Sequence, residues 1–234
     1  MSDAARRIFC ALDTTDRAGA AKLAARLAGT VGGVKLGLEF FGAHGPAGVA
    51  AVKESALPLF LDLKFHDIPN TVAGAVRAVL PLAPALLTVH ASGGRAMLEA
   101  ARDAAAHAGA SRPKIVAVTV LTSLDDGDLD AVGQRGPALD QVKRLAEIAQ
   151  RAGIDGVVCS PREVAALRAQ CGPGFLLVVP GIRPAWATAG DQKRVMTPAE
   201  AVAAGADHLV IGRPITGAPD PAEAARRIAA ELTA

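Results

Sequence analysis

The chain has 234 residues, 51% of them hydrophobic and 21% charged, and its formal net charge is only +2. This is a globular composition, and the small charge without a Lys/Arg-rich run argues against binding nucleic acid through bulk electrostatics. Tyrosine is absent and aromatic residues make up 3% of the chain, so a base-stacking platform for single strands is not expected. The length suits one α/β barrel, and we predict a single catalytic domain over residues 1–234.

The cysteine content and the lengths of the apolar runs indicate the cellular compartment of the protein. Cys10, Cys159 and Cys171 form an odd, sparse set without CxxC spacing, which is typical of reduced thiols. The N-terminal segment lacks a signal-peptide pattern, and no apolar run reaches the ~18 residues of a membrane helix. We therefore expect a cytoplasmic protein that does not associate with membranes.

Eight short apolar runs recur along the chain, separated by Ala-rich stretches with helical spacing. The predicted strands cover residues 7–13, 33–39, 59–65, 86–91, 114–121, 156–160, 175–181 and 208–213. Three helix starts share a capping side chain, a proline at the first helical position and a glutamate at the third. These starts lie at residues 160–163, 197–200 and 220–223.

This strict alternation of strands and helices indicates parallel pairing through right-handed crossovers. Eight such units predict a (β/α)₈ TIM barrel, in which chemistry sits at the C-terminal ends of the strands. An open doubly wound sheet is the alternative. However, LDTTD follows the first strand, where that fold more often places a Gly-rich phosphate loop.

The third predicted strand carries two charged residues inside an apolar run, LFLDLKFHDIPNT. Asp62 and Lys64 are two residues apart, so their side chains project to one side of the strand, while Leu61 and Leu63 take the other. The charged pair would therefore point into a barrel interior otherwise filled by apolar residues, which is costly and unnecessary for folding. A structural ion pair and a catalytic pair are both compatible with this pattern.

Two further charged residues favour the catalytic interpretation. Lys35 lies in the middle of the second strand, and Asp67 follows the third strand where Pro69 helps to begin the next helix. Asp67 alone is also compatible with a helix cap. Neighbouring strands would present these residues together with Asp62 and Lys64 within one mouth, and an alternating charge array there is better explained by chemistry than by stability.

The seventh and eighth strands end in motifs that suit a phosphate group, which TIM barrels commonly bind at this place. Gly212 allows an anion to approach backbone N–H groups, and Arg213 can donate two parallel hydrogen bonds, although a surface salt bridge is the alternative for Arg213. Residues 183–198 form a long segment that contains Gly190 and Gln192. We predict that this segment is a lid that closes on the phosphate.

Five motifs together resemble those of bacterial orotidine 5'-phosphate decarboxylases, in order and over essentially the whole chain. They are LDTTD, KLG, DLKFHDIPNT, PGIRP and IGRPIT, on the first, second, third, seventh and eighth strands. The D-x-K-x-x-D core is shared with a wider superfamily of sugar-phosphate enzymes, whereas the extended DLKFHDIPNT is more specific. The resemblance implies decarboxylation of orotidine 5'-phosphate (OMP) to uridine 5'-phosphate (UMP) in pyrimidine biosynthesis, by a homodimer without metal or cofactor.

The resemblance also implies a role for each of the charged residues on the second and third strands and for Thr71. Lys64 resembles the proton donor, and Asp62 resembles the carboxylate beside the substrate carboxylate. Lys35 resembles the lysine of the network that also reaches the ribose. Asp67 and Thr71 resemble residues lent across a dimer interface to the partner's ribose site.

Further positions match the substrate-binding residues of that family. Asp13 resembles a ligand of a ribose hydroxyl, and Thr122 resembles a residue near the pyrimidine. The phosphate end would comprise Arg183, Gln192, Gly212 and Arg213.

Three alternatives remain open at the level of sequence. The first is a metal-dependent sugar-phosphate enzyme of the same superfamily, such as a keto-gulonate phosphate decarboxylase or a hexulose phosphate synthase. Those enzymes typically carry a glutamate where this chain has Lys35, which argues against a metal site. The second is an aldolase that forms a Schiff base through Lys64. The third is a non-catalytic nucleotide-binding protein on an enzyme fold, which fold alone does not exclude.

Overall fold

The computed structural model describes residues 1–134, 136–187 and 196–232. Its centre is a closed barrel of parallel strands in which each strand pairs with the next and the last pairs with the first. The strands are β1 (Ile8–Ala11), β2 (Gly33–Gly37), β3 (Leu59–Phe65), β4 (Leu86–His90), β5 (Lys114–Val118), β6 (Gly156–Val158), β7 (Leu176–Pro180) and β8 (His208–Ile211). All eight predicted strands are therefore confirmed, and so is the (β/α)₈ barrel.

Helices follow the strands and surround the barrel. They are α1 (Asp3–Arg6), α2 (Arg17–Leu27), α3 (Leu38–Lys53), α4 (Pro69–Val79), α5 (Gly94–Ala106), α6 (Asp126–Ala131), α7 (Ala138–Arg151), α8 (Val164–Cys171), α9 (Pro198–Ala203), α10 (Arg213–Thr216) and α11 (Pro221–Glu231). No helix in the described ranges is long and apolar enough to cross a membrane.

Two of the three predicted helix starts are confirmed. Pro198 and Pro221 are the first residues of α9 and α11, and the side chains of Thr197 and Asp220 accept backbone N–H groups of the first turn. The third start differs, because residues 161–163 form a 3₁₀ turn and α8 begins only at Val164. A 3₁₀ turn at a helix N-terminus is a common way to begin a helix.

Side chains alternate along the strands, and this alternation divides the core into two layers. One layer lies inside the barrel and the other between the strands and the helices. The inner layer comprises Phe9, Ala11, Phe60, Leu86, Val116, Val178 and Val210. Phe9 and Phe60 meet edge to face across this layer with ring centroids 5.9 Å apart. The apolar layer forms a floor, so that polar groups collect above it at the C-terminal ends of the strands.

Candidate active site

A cavity of about 300 Å³ opens at the C-terminal mouth of the barrel. Seven of the eight strands, or the segments that follow them, contribute lining residues, and β4 contributes none among the described residues. The floor includes Phe60 and Val210, whereas charged side chains stand on the walls. This is the end at which barrel enzymes carry their chemistry.

Four charged side chains of alternating sign form a chain along one wall of the cavity. The Nζ of Lys64 lies 2.8 Å from Oδ2 of Asp62, and the Nζ of Lys35 lies 3.6 Å from that same oxygen. Lys35 also donates to Oδ1 of Asp13 at 2.9 Å. The predicted convergence of Lys35, Asp62 and Lys64 is therefore observed, and Asp13 continues the array. We call these four side chains the charged array.

Burial differs along the charged array in a way that matters for its chemistry. The side chains of Lys35 and Asp62 are 11% and 13% exposed, whereas that of Lys64 is 27% exposed and that of Asp13 is 60% exposed. Pairing offsets the cost of holding Lys35 and Asp62 away from water. Lys64 remains open to the cavity, so its ammonium can meet a molecule bound there.

The backbone of β3 is irregular where it presents Lys64. Leu61 pairs with Leu87 of β4, and the next pair is Phe65 with Val89, so three residues of β3 face a single residue of β4. Lys64 adopts a positive φ of 51°. This left-handed conformation costs a residue with a Cβ roughly 1–2 kcal/mol and, in folded proteins, often marks functional sites.

Thr88 is the residue of β4 that faces this bulge. Its Oγ1 accepts the backbone N–H of Lys64 at 2.8 Å and donates to Oδ1 of Asp62 at 3.0 Å. Thr88 is fully buried. Sequence reasoning missed this residue, although a threonine inside the apolar run LLTVH, two residues after inward-facing Leu86, was a usable signal.

The wall at the ends of β7 and β8, which adjoins β1, carries the predicted phosphate end. Arg183, Gly212 and Arg213 all line the cavity. A Cβ on Gly212 would meet only Ala11, at the ordinary contact distances of 3.5 and 3.7 Å, so packing within the protein does not require glycine there. A glycine at this place keeps backbone open to the cavity, which suits an anion.

The segment between β7 and α9 holds the remaining predicted phosphate residue. Ile182 and Met196 form a parallel bridge, and the N–H of Arg183 donates to the carbonyl of Met196 at 3.1 Å. Gln192 and Gly190 lie outside the described residues, and so does half of the predicted lid. Arg183 is 8% exposed, so its guanidinium is held within the wall rather than in solvent.

The other predicted residues divide into two groups. Thr122 lines the cavity. Asp67 and Thr71 are exposed and do not line the cavity of their own chain. Oδ1 of Asp67 accepts the N–H of Ile68, and Ile68 is 67% exposed. A predicted site residue therefore stands beside an exposed apolar side chain at the rim.

The thiols and a histidine near the site have shifted pKa values. Burial raises the pKa of the Cys10 thiol to about 12 and raises the pKa of Cys159, which lines the cavity, well above its ordinary value. Both thiols are therefore protonated at neutral pH and are poor nucleophiles. Burial lowers the pKa of His90, as do nearby His66 and Lys64. Its ring lies 5.3 Å from that of His66.

The fold and site define a (β/α)₈-barrel protein that carries an alternating charged array and two arginines in one mouth. The chain belongs to the orotidine 5'-phosphate decarboxylase / HUMPS family, whose model matches residues 6–228. An orotidine 5'-phosphate decarboxylase of Rhodospirillum rubrum is 64% identical over 96% of this chain and 93% of its own length. One of Moorella thermoacetica is 56% identical over 97% and 92%.

Solved structures give the same relationship. The crystal structure of orotidine 5'-phosphate decarboxylase from Lactobacillus acidophilus superposes with a TM-score of 0.86 at 39% identity, covering 97% of this chain and 99% of that one. The enzyme from Pyrococcus horikoshii gives a TM-score of 0.79 at 26% identity with the same coverage.

Proposed function

We propose that this chain decarboxylates OMP to UMP and CO₂, the last step of de novo pyrimidine nucleotide synthesis, without a metal or cofactor. The observation that carries the proposal is the contact of 2.8 Å between Lys64 and Asp62, in which the lysine remains open to the mouth cavity. The names of the relatives agree with it. The catalytic unit is a single domain spanning residues 1–234.

Lys64 carries the central step. The bond between C6 of the pyrimidine and its carboxylate breaks, CO₂ leaves, and the electron pair stays on C6 in an orbital that the ring delocalises poorly. The ammonium of Lys64, a compact cation with three donors, stabilises this carbanion and transfers a proton from Nζ to C6. The neutral amine then takes a proton from water.

Asp62 supplies the electrostatic contrast between ground and transition states. Its carboxylate stands beside the substrate carboxylate, and the repulsion disappears when CO₂ leaves, which is ground-state destabilisation. Lys35 helps to hold Asp62 in place, since its Nζ lies 3.6 Å from Oδ2. Binding energy from a remote part of the substrate must offset the repulsion.

The phosphate is that remote part, and the wall at the ends of β7 and β8 binds it. Arg213 donates to two phosphate oxygens, and Arg183, Gln192 and the backbone of Gly212 complete the group. Asp13 and Lys35 of the charged array bind ribose hydroxyls, and Thr122 contacts the pyrimidine. This assignment uses every predicted residue that lines the cavity.

The enzyme acts as a homodimer in which Asp67 and Thr71 complete the ribose site of the partner. Their exposure away from the cavity of their own chain supports this arrangement. Ile68 is 67% exposed and Leu38 is 59% exposed, and both lie just beyond the C-terminal ends of their strands. Exposed apolar side chains around a polar site are typical of an interface.

The decisive experiment follows the ultraviolet absorbance of OMP with EDTA-treated enzyme. We expect rapid loss of absorbance with the wild type and with Lys22→Ala, which removes an exposed lysine on α2. Lys64→Ala should lose nearly all activity. No loss with the wild type would contradict the proposal. Addition of Mg²⁺ with sugar phosphates would then test the metal-dependent alternative, and borohydride trapping would test a Schiff base at Lys64.

A further inference from the structure

Thr88 stands directly behind the charged array without touching the cavity. It is fully buried on β4, and β4 is the strand that contributes no described residue to the cavity lining. Its neighbours Leu87 and Val89 belong to the outer apolar layer, whereas Leu86 belongs to the inner one. The alternation therefore directs Thr88 inward, above the apolar floor and beneath the charged array.

The hydroxyl of Thr88 makes two hydrogen bonds of opposite direction. A hydroxyl has one proton to donate, and that proton goes to Oδ1 of Asp62 at 3.0 Å. Its lone pair accepts the backbone N–H of Lys64 at 2.8 Å. One side chain therefore fixes both the carboxylate of Asp62 and the backbone of Lys64.

The first of these hydrogen bonds orients the carboxylate. Because Thr88 occupies Oδ1, the other oxygen, Oδ2, is the one that both ammonium groups approach, Lys64 at 2.8 Å and Lys35 at 3.6 Å. Without the hydroxyl, the carboxylate could rotate about its terminal torsion, which is a soft one. The position of Lys64 Nζ would change with it.

The second hydrogen bond supports the strained backbone. The bulge between β3 and β4 interrupts the regular ladder at Lys64, and the φ of 51° is unfavourable for a residue with a Cβ. The Thr88 hydroxyl gives the N–H of Lys64 a partner at the point where the strand irregularity removes the regular one. It thereby stabilises the conformation that aims Lys64 at the cavity.

We propose that Thr88 is a positioning residue that sets the geometry of the Asp62–Lys64 pair, an inference that rests on the proposed decarboxylation for its kinetic consequences. Valine has nearly the same shape as threonine but lacks the hydroxyl, so Thr88→Val removes both hydrogen bonds without leaving a cavity. Thr88→Ser keeps the hydroxyl and loses only a methyl group. The two variants therefore separate hydrogen bonding from packing.

The kinetic arm compares these variants with OMP. We expect Thr88→Val to lower kcat by about tenfold to a hundredfold, because small misplacement of a reacting group is costly. The KM should stay within about twofold, since Thr88 does not line the cavity. Thr88→Ser should retain kcat within about threefold of the wild type. A wild-type kcat in Thr88→Val, or equal losses in both variants, would overturn the proposal.

A second arm does not depend on activity. Amide hydrogen exchange of Lys64, followed by NMR, should be faster in Thr88→Val than in the wild type and in Thr88→Ser, while the amide of Leu61 in the regular part of β3 stays unchanged. Equal exchange of Lys64 in all three proteins would refute the positioning role. If the wild type fails to decarboxylate OMP, the exchange result still stands, so the two proposals fail separately.

Urea denaturation of each variant serves as the control that the variant is folded. If Thr88→Val does not fold, the pair Thr88→Ala and Thr88→Ser replaces it, because these two variants both lack the methyl group and differ only in the hydroxyl. The same criteria then apply, with Thr88→Ala losing kcat and Lys64 amide protection relative to Thr88→Ser. Equal behaviour of this pair would contradict the inference.

Discussion

A methyl group on Gly37 would stand 3.1 Å from the Nζ of Lys35, which is tighter than ordinary packing allows, and 3.6 Å from Oδ1 of Asp13. The last residue of β2 must therefore be small for the ammonium to keep its place between Asp13 and Asp62. We expect Gly37→Ala to lower kcat/KM for OMP by about tenfold, through displacement of Lys35. Steady-state kinetics at several OMP concentrations would measure it.

Stability should change little in Gly37→Ala, because the far end of a flexible lysine can move. The matched control is Gly42→Ala on the exposed part of α3, where a Cβ meets nothing within 4 Å. This control should keep wild-type kinetics and a urea midpoint at or above that of the wild type, because alanine favours a helix more than glycine does. Unchanged kcat/KM in Gly37→Ala would show that the ammonium tolerates displacement, and the role assigned to Lys35 would fail.

Remote phosphate binding makes a second prediction. Arg213 lines the cavity at the end of β8 and touches no reacting atom in the proposed mechanism. Arg213→Ala should nevertheless lower kcat/KM, with a loss of several kcal/mol of transition-state stabilisation, because phosphate binding offsets the repulsion at Asp62. A loss of less than about tenfold, which corresponds to ~1.4 kcal/mol, would contradict the mechanism. Arg226→Ala removes an exposed arginine on α11 and serves as the control.

Much of this site followed from strand periodicity. The alternation of side chains along a strand was sufficient to place Asp62 and Lys64 on one wall and to separate them from Leu61 and Leu63, which are buried in the outer layer. Barrel geometry was sufficient to place Arg213 at the same mouth. These predictions depend only on period and chain order, which the sequence carries directly.

The parts that escaped prediction depend on relations between strands. The bulge at Lys64 arises from the pairing of β3 with β4, and periodicity within one strand contains no information about it. Thr88 is important because of that pairing, and its own strand reads as an ordinary apolar run. Asp67 was predicted within the same mouth, but it lies outside the cavity of its own chain. Its proposed site depends on a second chain, which one sequence does not place.

The N-terminal end of the barrel, opposite the cavity, contains a partly buried arginine that should govern stability rather than activity. Arg168 donates to the carbonyls of Gly172, Phe175 and Gly205 and pairs with Asp207 at 2.6 Å. Arg168→Met would leave these acceptors without their donor. We expect the free energy of unfolding to fall by about 2–4 kcal/mol, as is typical when a buried hydrogen-bond network is broken.

Urea denaturation and kinetics distinguish this role from a catalytic one. Arg168→Met should keep kcat within about twofold of the wild type at a temperature where the variant is folded. The catalytic residues lie at the C-terminal end of the barrel, and their geometry does not depend on a contact at the N-terminal end. Arg151→Met, which breaks only an exposed pair with Glu147 on α7, should have a wild-type urea midpoint. A wild-type midpoint in Arg168→Met would show that water replaces the arginine.

Dimer formation can be tested at the exposed rim. Ile68→Asp places a charge on a side chain that is 67% exposed beside Asp67. We expect this variant to sediment as a monomer and to lose most activity, because the proposed ribose site needs Asp67 of the partner. Val132→Asp is the control, since Val132 is 68% exposed at the end of α6 and plays no part in the proposed interface. A monomeric wild type with full activity would contradict the shared site.

Acid should destabilise the fold through two partly buried histidines. Burial lowers the pKa of His208, whose Nδ1 has no hydrogen-bond partner within the described structure and whose ring packs against Phe9. Burial also lowers the pKa of His90. Between the lowered folded value and the unfolded value of 6.5, the unfolded chain binds more protons than the folded chain. The stabilising contribution is therefore complete above pH 6.5 and is lost as the pH falls through the folded pKa.

Urea denaturation between about pH 5 and pH 8 measures this effect above the range where most carboxylates titrate. The free energy of unfolding should decline as the pH falls below 6.5, and the decline should be smaller in His208→Phe, which keeps a ring against Phe9 but cannot take up a proton. His107→Gln, at an exposed position after α5, should follow the wild-type curve. Equal slopes in the wild type and His208→Phe would mean that His208 accepts a proton in the folded barrel without cost, through rotation or entry of water beside Nδ1.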